Sequence, residues 1–235
     1  MYIVLLSVLF ILLAVTTLAA ALSEKKDRAV IITEKMKCRG YYQSIALLWG
    51  LAVAVFIMCL IGSISPGDIR LQLISFNHST WFTTVILILS GLLLAFLLYQ
   101  TILLLTSAKS RGEAKKLDTG EGAGQSLPRT KKEKWLFSFM CLSAGICEEV
   151  IFRGFLAFLL QMIFPGIPIL LVVLITCVIF GFFHIYQGLQ GVIKTGLFGA
   201  LLMCLVLVTD SLIPAMLLHF SLDFSSTFLL SEEQT

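Results

Sequence analysis

Long apolar runs broken by short charged segments dominate the chain, and the length of each run predicts a helix that crosses a bilayer. An α-helix needs about 20 predominantly apolar residues to span the hydrocarbon core, and residues 2–22, 41–64 and 81–106 each form such a run. The third opens on Trp81, an aromatic suited to the membrane–water interface. Between Lys134 and Glu232 only Glu148, Glu149, Arg153, Lys194, Asp210 and Asp223 are charged. That stretch divides at Pro165 and Pro168, around Gln187 to Gly191 and near Asp210, giving four further helices. The expected fold is all-α: a polytopic integral membrane helical bundle of about seven transmembrane helices. No internal repeat is visible.

The connecting segments set the orientation. Residues 23–40 carry Lys25, Lys26, Arg28, Lys35, Lys37 and Arg39, and residues 107–134 carry Lys109, Arg111, Lys115, Lys116, Arg129, Lys131, Lys132 and Lys134. Residues 65–80 carry only Arg70. Positive loops stay in the cytoplasm, so both basic segments are expected inside and the N-terminus outside. The second, with Gly120, Gly122 and Gly124, also reads as a flexible linker. The expected organisation is residues 1–106 as three N-terminal membrane helices, 107–134 as a basic flexible cytoplasmic loop and 135–230 as a four-helix C-terminal unit. Residues 1–22 read as a retained helix, because no basic n-region precedes the run and it exceeds the length of a signal-peptide core. Asn77-His78-Ser79 matches a glycosylation acceptor on the expected outer side, a three-residue pattern common by chance.

Composition sharpens the class. Of 235 residues 58% are hydrophobic and only 13% charged, with mean hydropathy +0.99, against roughly 25% charged in a soluble domain. The bilayer is therefore the expected solvent, and no basic stripe with interleaved aromatics suggests nucleic acid as a partner. The six cysteines are scattered through apolar runs without CxxC spacing and read as small packing residues.

Against this background the C-terminal helices hold Glu148, Glu149, Arg153, His184, His219 and Asp223. Ionisable groups at bilayer depth are costly, and normally turn inward and pair. Apolar residues would serve packing alone at all six positions, so the cluster points to function. Glu149 and Arg153, four apart, share a face and suit an ion pair. Glu148 lies about 100° around the helix from Glu149, which leaves it as the carboxylate available for proton chemistry. His219 and Asp223 are also four apart.

Depth gives a second check. Glu148 lies 17 residues before Pro165 and His184 lies 16 after Pro168. If that turn is the outer end of a helical hairpin, both sit roughly 25 Å below it at about 1.5 Å per residue, level with each other towards the cytoplasmic side. His219 is only nine residues past Asp210, and an ideal helix leaves it nearer the outer face. Either the turn before it dips into the bundle, at Pro214, or the helices tilt. Lys194 is expected to snorkel to the interface, and Gly181, Gly188, Gly191, Gly196 and Gly199 to permit close helix approach. There is no HExxH pair, no GxSxG elbow, no aspartate pair suited to aspartic proteolysis and no P-loop. Glu148, His184 and His219 are one set that could ligate zinc, as a minor alternative to a site without cofactor.

Three segments together carry a family signal: Cys147-Glu148-Glu149-Val-Ile-Phe-Arg153-Gly, Phe180-Gly-Phe-Phe-His184 and His219-Phe-Ser-Leu-Asp223. This ordered set resembles the CAAX-protease and bacteriocin-processing family, the intramembrane glutamate endopeptidases often labelled Abi. The resemblance covers about residues 136–226, and His184-Ile-Tyr-Gln-Gly and Leu212-Ile-Pro-Ala also look like bacterial members. It implies Glu148 as the base that activates water and His184 as the group that holds and polarises it. It further implies Glu149 and Arg153 as a brace, and His219 and Asp223 on the oxyanion side. Members acting on prenylated CAAX substrates often have Asn at the position of Asp223, and an anionic Asp would oppose an oxyanion unless protonated or paired with His219.

The leading expectation is a membrane-embedded, metal-independent endopeptidase that hydrolyses a peptide bond near the cytoplasmic interface of a bacterial cell membrane. Its partners would be a peptide or membrane-anchored protein substrate and the lipid bilayer. Two other classes stand beside it: a non-catalytic membrane adaptor or bacteriocin immunity factor, and a small proton-coupled carrier. The lack of broken, inverted-repeat helices counts against the carrier.

Overall fold

A computed structural model describes residues 33–76, 80–107, 109–110 and 127–229. The expected helix at residues 2–22, the Asn77-His78-Ser79 triplet and the glycine-bearing part of the second basic loop lie outside the described residues.

The described residues are helical, with no strand. Helix α1 (Glu34–Ile61) begins seven residues before the expected start, because Thr33 accepts a hydrogen bond from Met36 N and Glu34 stands in the positive first turn. Helix α2 (Trp81–Thr106) has the bounds read from the sequence and is capped by Thr80. A continuous helical rod follows. Its first part is α3 (Lys131–Glu148), opened by a capping box in which Thr130 and Glu133 bond each other's backbone N–H. It passes through a π-helical stretch (Glu149–Leu156) and ends as α4 (Ala157–Ile163). The turn at Pro165 and Pro168 leads into α5 (Ile169–Phe183), a short 3₁₀ turn (Ile185–Gln187) leads into α6 (Gly188–Thr209), and α7 (Ile213–Ser225) ends in a further 3₁₀ turn (Ser226–Phe228). The breaks fall where prolines, glycines and Asp210 predict them.

Three helical stretches among the described residues are long and apolar enough to cross a membrane: Glu34–Ile61, Trp81–Thr106 and Ile185–Thr209. Helix α5 is apolar but has 15 residues, and α7 has 13, both short of the 20 or so a full crossing needs. The outside of the bundle is apolar, with Leu60, Leu92, Phe96, Leu170 and Leu197 all more than half exposed, whereas Glu149, Arg153 and His219 are buried. A soluble protein has the opposite arrangement; the chain is an integral membrane protein.

Helix α1 packs along α3, and α2 lies against α6 and α7. Trp49 Nε1 donates to Ser143 Oγ at 3.1 Å, and the Tyr41 and Phe137 rings meet edge to face at 5.3 Å. The described parts of the two basic segments meet at one end of the bundle: Lys37 Nζ lies 3.6 Å from Glu133 Oε2 and donates to the Leu127 carbonyl at 2.9 Å. At the other end, the segment after α1 folds back over the α6–α7 turn. Asp68 closes its first turn by accepting from Ser65 Oγ–H (2.8 Å) and N–H (2.7 Å), and these donors hold its carboxyl below the usual carboxylate range.

Candidate active site

The rod brings the first group of residues. At Glu149 the backbone widens from α to π geometry, an uncommon feature that recurs at functional sites. Inside this stretch Arg153 Nη1 donates to Glu149 Oε1 at 2.9 Å, with both side chains essentially sealed from solvent. The expected ion pair is thus formed. A second donor shares the same oxygen: His219 Nδ1, from α7, at 2.7 Å. A carboxylate only accepts, so Nδ1 carries a proton.

Glu148 faces elsewhere. Its side chain is 17% exposed, and Oε2 has no hydrogen-bond partner among the described residues. Across from it stands His219 Nε2, 3.9 Å away, with Asp223 Oδ2 3.5 Å from the same nitrogen. His219 therefore sits between a braced carboxylate on one nitrogen and two other carboxylates on the other. The α6–α7 turn is buried beneath residues 69–75, and α7 brings His219 to Glu149. Ser211 and Leu212 are fully buried and Pro214 opens α7.

His184 caps the end of α5. Its Nδ1 lies 2.9 Å from the Phe180 carbonyl, and a carbonyl can only accept, so the proton is on Nδ1 and Nε2 keeps a lone pair in the neutral ring. The ring lies against Phe180, centroids 4.8 Å apart, and Phe180 in turn touches His219 edge-on at 6.0 Å. Glu148, Glu149, Arg153, His219 and Asp223 thus form one contact group, to which His184 is joined through Phe180.

Phe180 has a part that the sequence reading did not assign. The Arg153 guanidinium carbon sits 3.9 Å above its ring centroid, a cation–π contact that helps to hold a buried cation. The available signal was position: Phe180 is one helical turn before His184. Gly199 belongs to the same contact. A Cβ there would lie 2.8 Å from Arg153 Nη2 and 3.0 Å from Phe180 Cδ1. Gly199→Ala is therefore expected to push the guanidinium off the ring and lower stability by about 1–3 kcal/mol, the usual range for overpacking. Thermal melting in detergent checks this, and an unchanged midpoint would mean that the guanidinium yields freely. Among the described residues no three His, Cys, Asp or Glu side chains are grouped to hold a metal ion.

Residues 130–225 match the family model described as type II CAAX prenyl endopeptidase Rce1-like. This part of the chain is similar to that family. Its bounds run from the capping residue of α3 to the last residue of α7, and so enclose all six residues singled out in the sequence. The Rce1-like family is one of CAAX-type endopeptidases, which supports a protease reading of this part of the chain. No curated protein and no solved structure matches the chain.

Proposed function

We propose that the protein is a membrane-embedded endopeptidase that hydrolyses a peptide bond near the cytoplasmic interface with water activated by Glu148 and no metal. One observation carries the reading: of two adjacent glutamates, each with an Oε2 that makes no hydrogen bond among the described residues, Glu149 is sealed from solvent and gives Oε1 to both Arg153 and His219, while Glu148 is 17% exposed and faces the Nε2 side of the His219 ring.

In this mechanism Glu148 takes a proton from water as the water oxygen bonds to the scissile carbonyl carbon. His184, with its own proton committed to the Phe180 carbonyl, offers Nε2 to hold that water. The carbonyl oxygen becomes an oxyanion and meets a proton on His219 Nε2, whose ring is aimed by Glu149 through Nδ1. The C–N bond then breaks and the proton held by Glu148 passes to the leaving amine, giving a new carboxyl and a new amine. Asp223 serves as the partner of His219 and not as an oxyanion donor, which its 3.5 Å separation from Nε2 supports.

Candidate substrates in a bacterial membrane are signalling peptides, bacteriocin leaders and membrane-anchor segments. The test compares by mass spectrometry the small secreted and membrane-anchored peptides of cells carrying wild-type protein or the Glu148→Gln variant. Peptides with new termini found only with wild type are expected, and identical profiles would remove the peptidase reading. Purified protein in lipid nanodiscs is then expected to cut the peptide so identified at the same rate with and without excess strong chelator. Loss in chelator, reversed by zinc, would overturn metal independence.

A further inference from the structure

The segment that folds over the α6–α7 turn lies outside the residues that match the Rce1-like family, yet it touches both halves of the site's support. Ile69 is buried and its carbonyl oxygen lies 2.9 Å from where a Cβ on Gly154 would be, so the loop backbone rests directly against the residue that follows Arg153. The next residue, Arg70, accepts from Leu212 N at 2.9 Å through its carbonyl, immediately before α7 begins. Its side chain reaches Asp210, with Nε 3.2 Å from Oδ1. Gln72 Nε2 donates to Asp210 Oδ2 at 2.7 Å and to the Asp210 carbonyl at 3.0 Å, and Ser211 Oγ donates to the Gln72 carbonyl at 2.6 Å. Arg70 and Asp210 both have left-handed backbones, at φ 55° and 47°. Such conformations are strained for residues other than glycine, and persist where the surroundings hold them.

We infer that Ile69, Arg70 and Gln72 are positioning residues: by pinning the α6–α7 turn to the π-helical stretch, they fix the register of α7 so that His219 Nδ1 meets Glu149. His219 is six residues after Ile213, about 9 Å along the helix. A slide or rotation of its start therefore reaches the imidazole undiminished. A misplacement of about 1 Å in a catalytic group can cost about a hundredfold in rate.

This inference rests on the peptidase reading for its link to rate, but its geometry has an independent readout. The chain has three histidines, His78, His184 and His219, so ¹⁵N-imidazole NMR of full-length protein in nanodiscs is tractable, with His219→Gln assigning the third ring. Wild type is expected to show a downfield, slowly exchanging Nδ1 proton on His219. Arg70→Ala is expected to lose it and to lower kcat ten- to a hundredfold on the peptide identified above, with KM within twofold, and Arg70→Lys to restore both. If Arg70→Ala does not accumulate, Gln72→Ala carries the same expectation, since it removes two bonds to Asp210 and leaves the ion pair. An unchanged His219 signal and kcat, or a lower melting temperature with an unchanged signal, would overturn the inference. Loss of the signal in a protein whose wild type cuts nothing would sustain the positioning role and remove the peptidase reading alone.

Discussion

Glu148→Gln is expected to lower cleavage by about a hundred- to ten-thousandfold, the range lost with a general base, while expression and melting temperature stay as in wild type. The amide keeps nearly the shape of the carboxylate but cannot accept a proton from water at neutral pH. No hydrogen bond depends on the charge: Oε2 makes none among the described residues, and His219 Nε2 lies beyond hydrogen-bond distance at 3.9 Å. Removing the negative charge takes a like charge away from Asp223 and an opposite charge away from His219 and Arg153, so the two effects on the buried cluster oppose each other. The expected variant is folded and inactive. Cleavage within a few fold of wild type would assign the base elsewhere.

Glu149→Leu is expected to fail in the opposite way, through the fold. Glu149 Oε1 holds both Arg153 and His219, and Arg153 is 1% exposed. Without it the guanidinium keeps its contact with Phe180 but has no counter-ion bonded to it. Breaking a buried pair from one side costs about 3–5 kcal/mol, whereas replacing both partners by apolar residues is often neutral. Denaturant or thermal unfolding in detergent should therefore show a large loss for Glu149→Leu that the double variant Glu149→Leu/Arg153→Met largely recovers. Activity should not recover with it, since His219 Nδ1 still lacks its acceptor. Recovery of both would reduce the pair to a packing device and leave His219 unaimed by it.

How much of this was legible depends on how local each feature is. The bounds of Trp81–Thr106 follow from an apolar run with an aromatic at one end and Ser107 at the other. The C-terminal breaks follow from Pro165, Pro168, Gly188 and Asp210. The start of α1 was missed because the charged segment hid a good cap, Thr33 with Glu34. The Glu149–Arg153 pair was readable because four-residue spacing on a helix is a local property. By contrast, the π-helical stretch carries no sequence signature that we recognise, and the partner of each imidazole is a tertiary matter. Depth arithmetic placed His184 level with Glu148 and left His219 too high. It assumed that α7 begins at the membrane surface. It also took no account of residues 65–75, read only as a weakly charged outer loop, which cover the α6–α7 turn and bring Ile69 to Gly154.

The most direct test of the account is a structure of the Glu148→Gln variant holding an uncut substrate peptide. The scissile carbonyl carbon is expected one water away from residue 148, with its oxygen facing His219 Nε2 and the water within reach of His184 Nε2. A peptide seated on the bundle with its scissile carbonyl away from both imidazoles would contradict it.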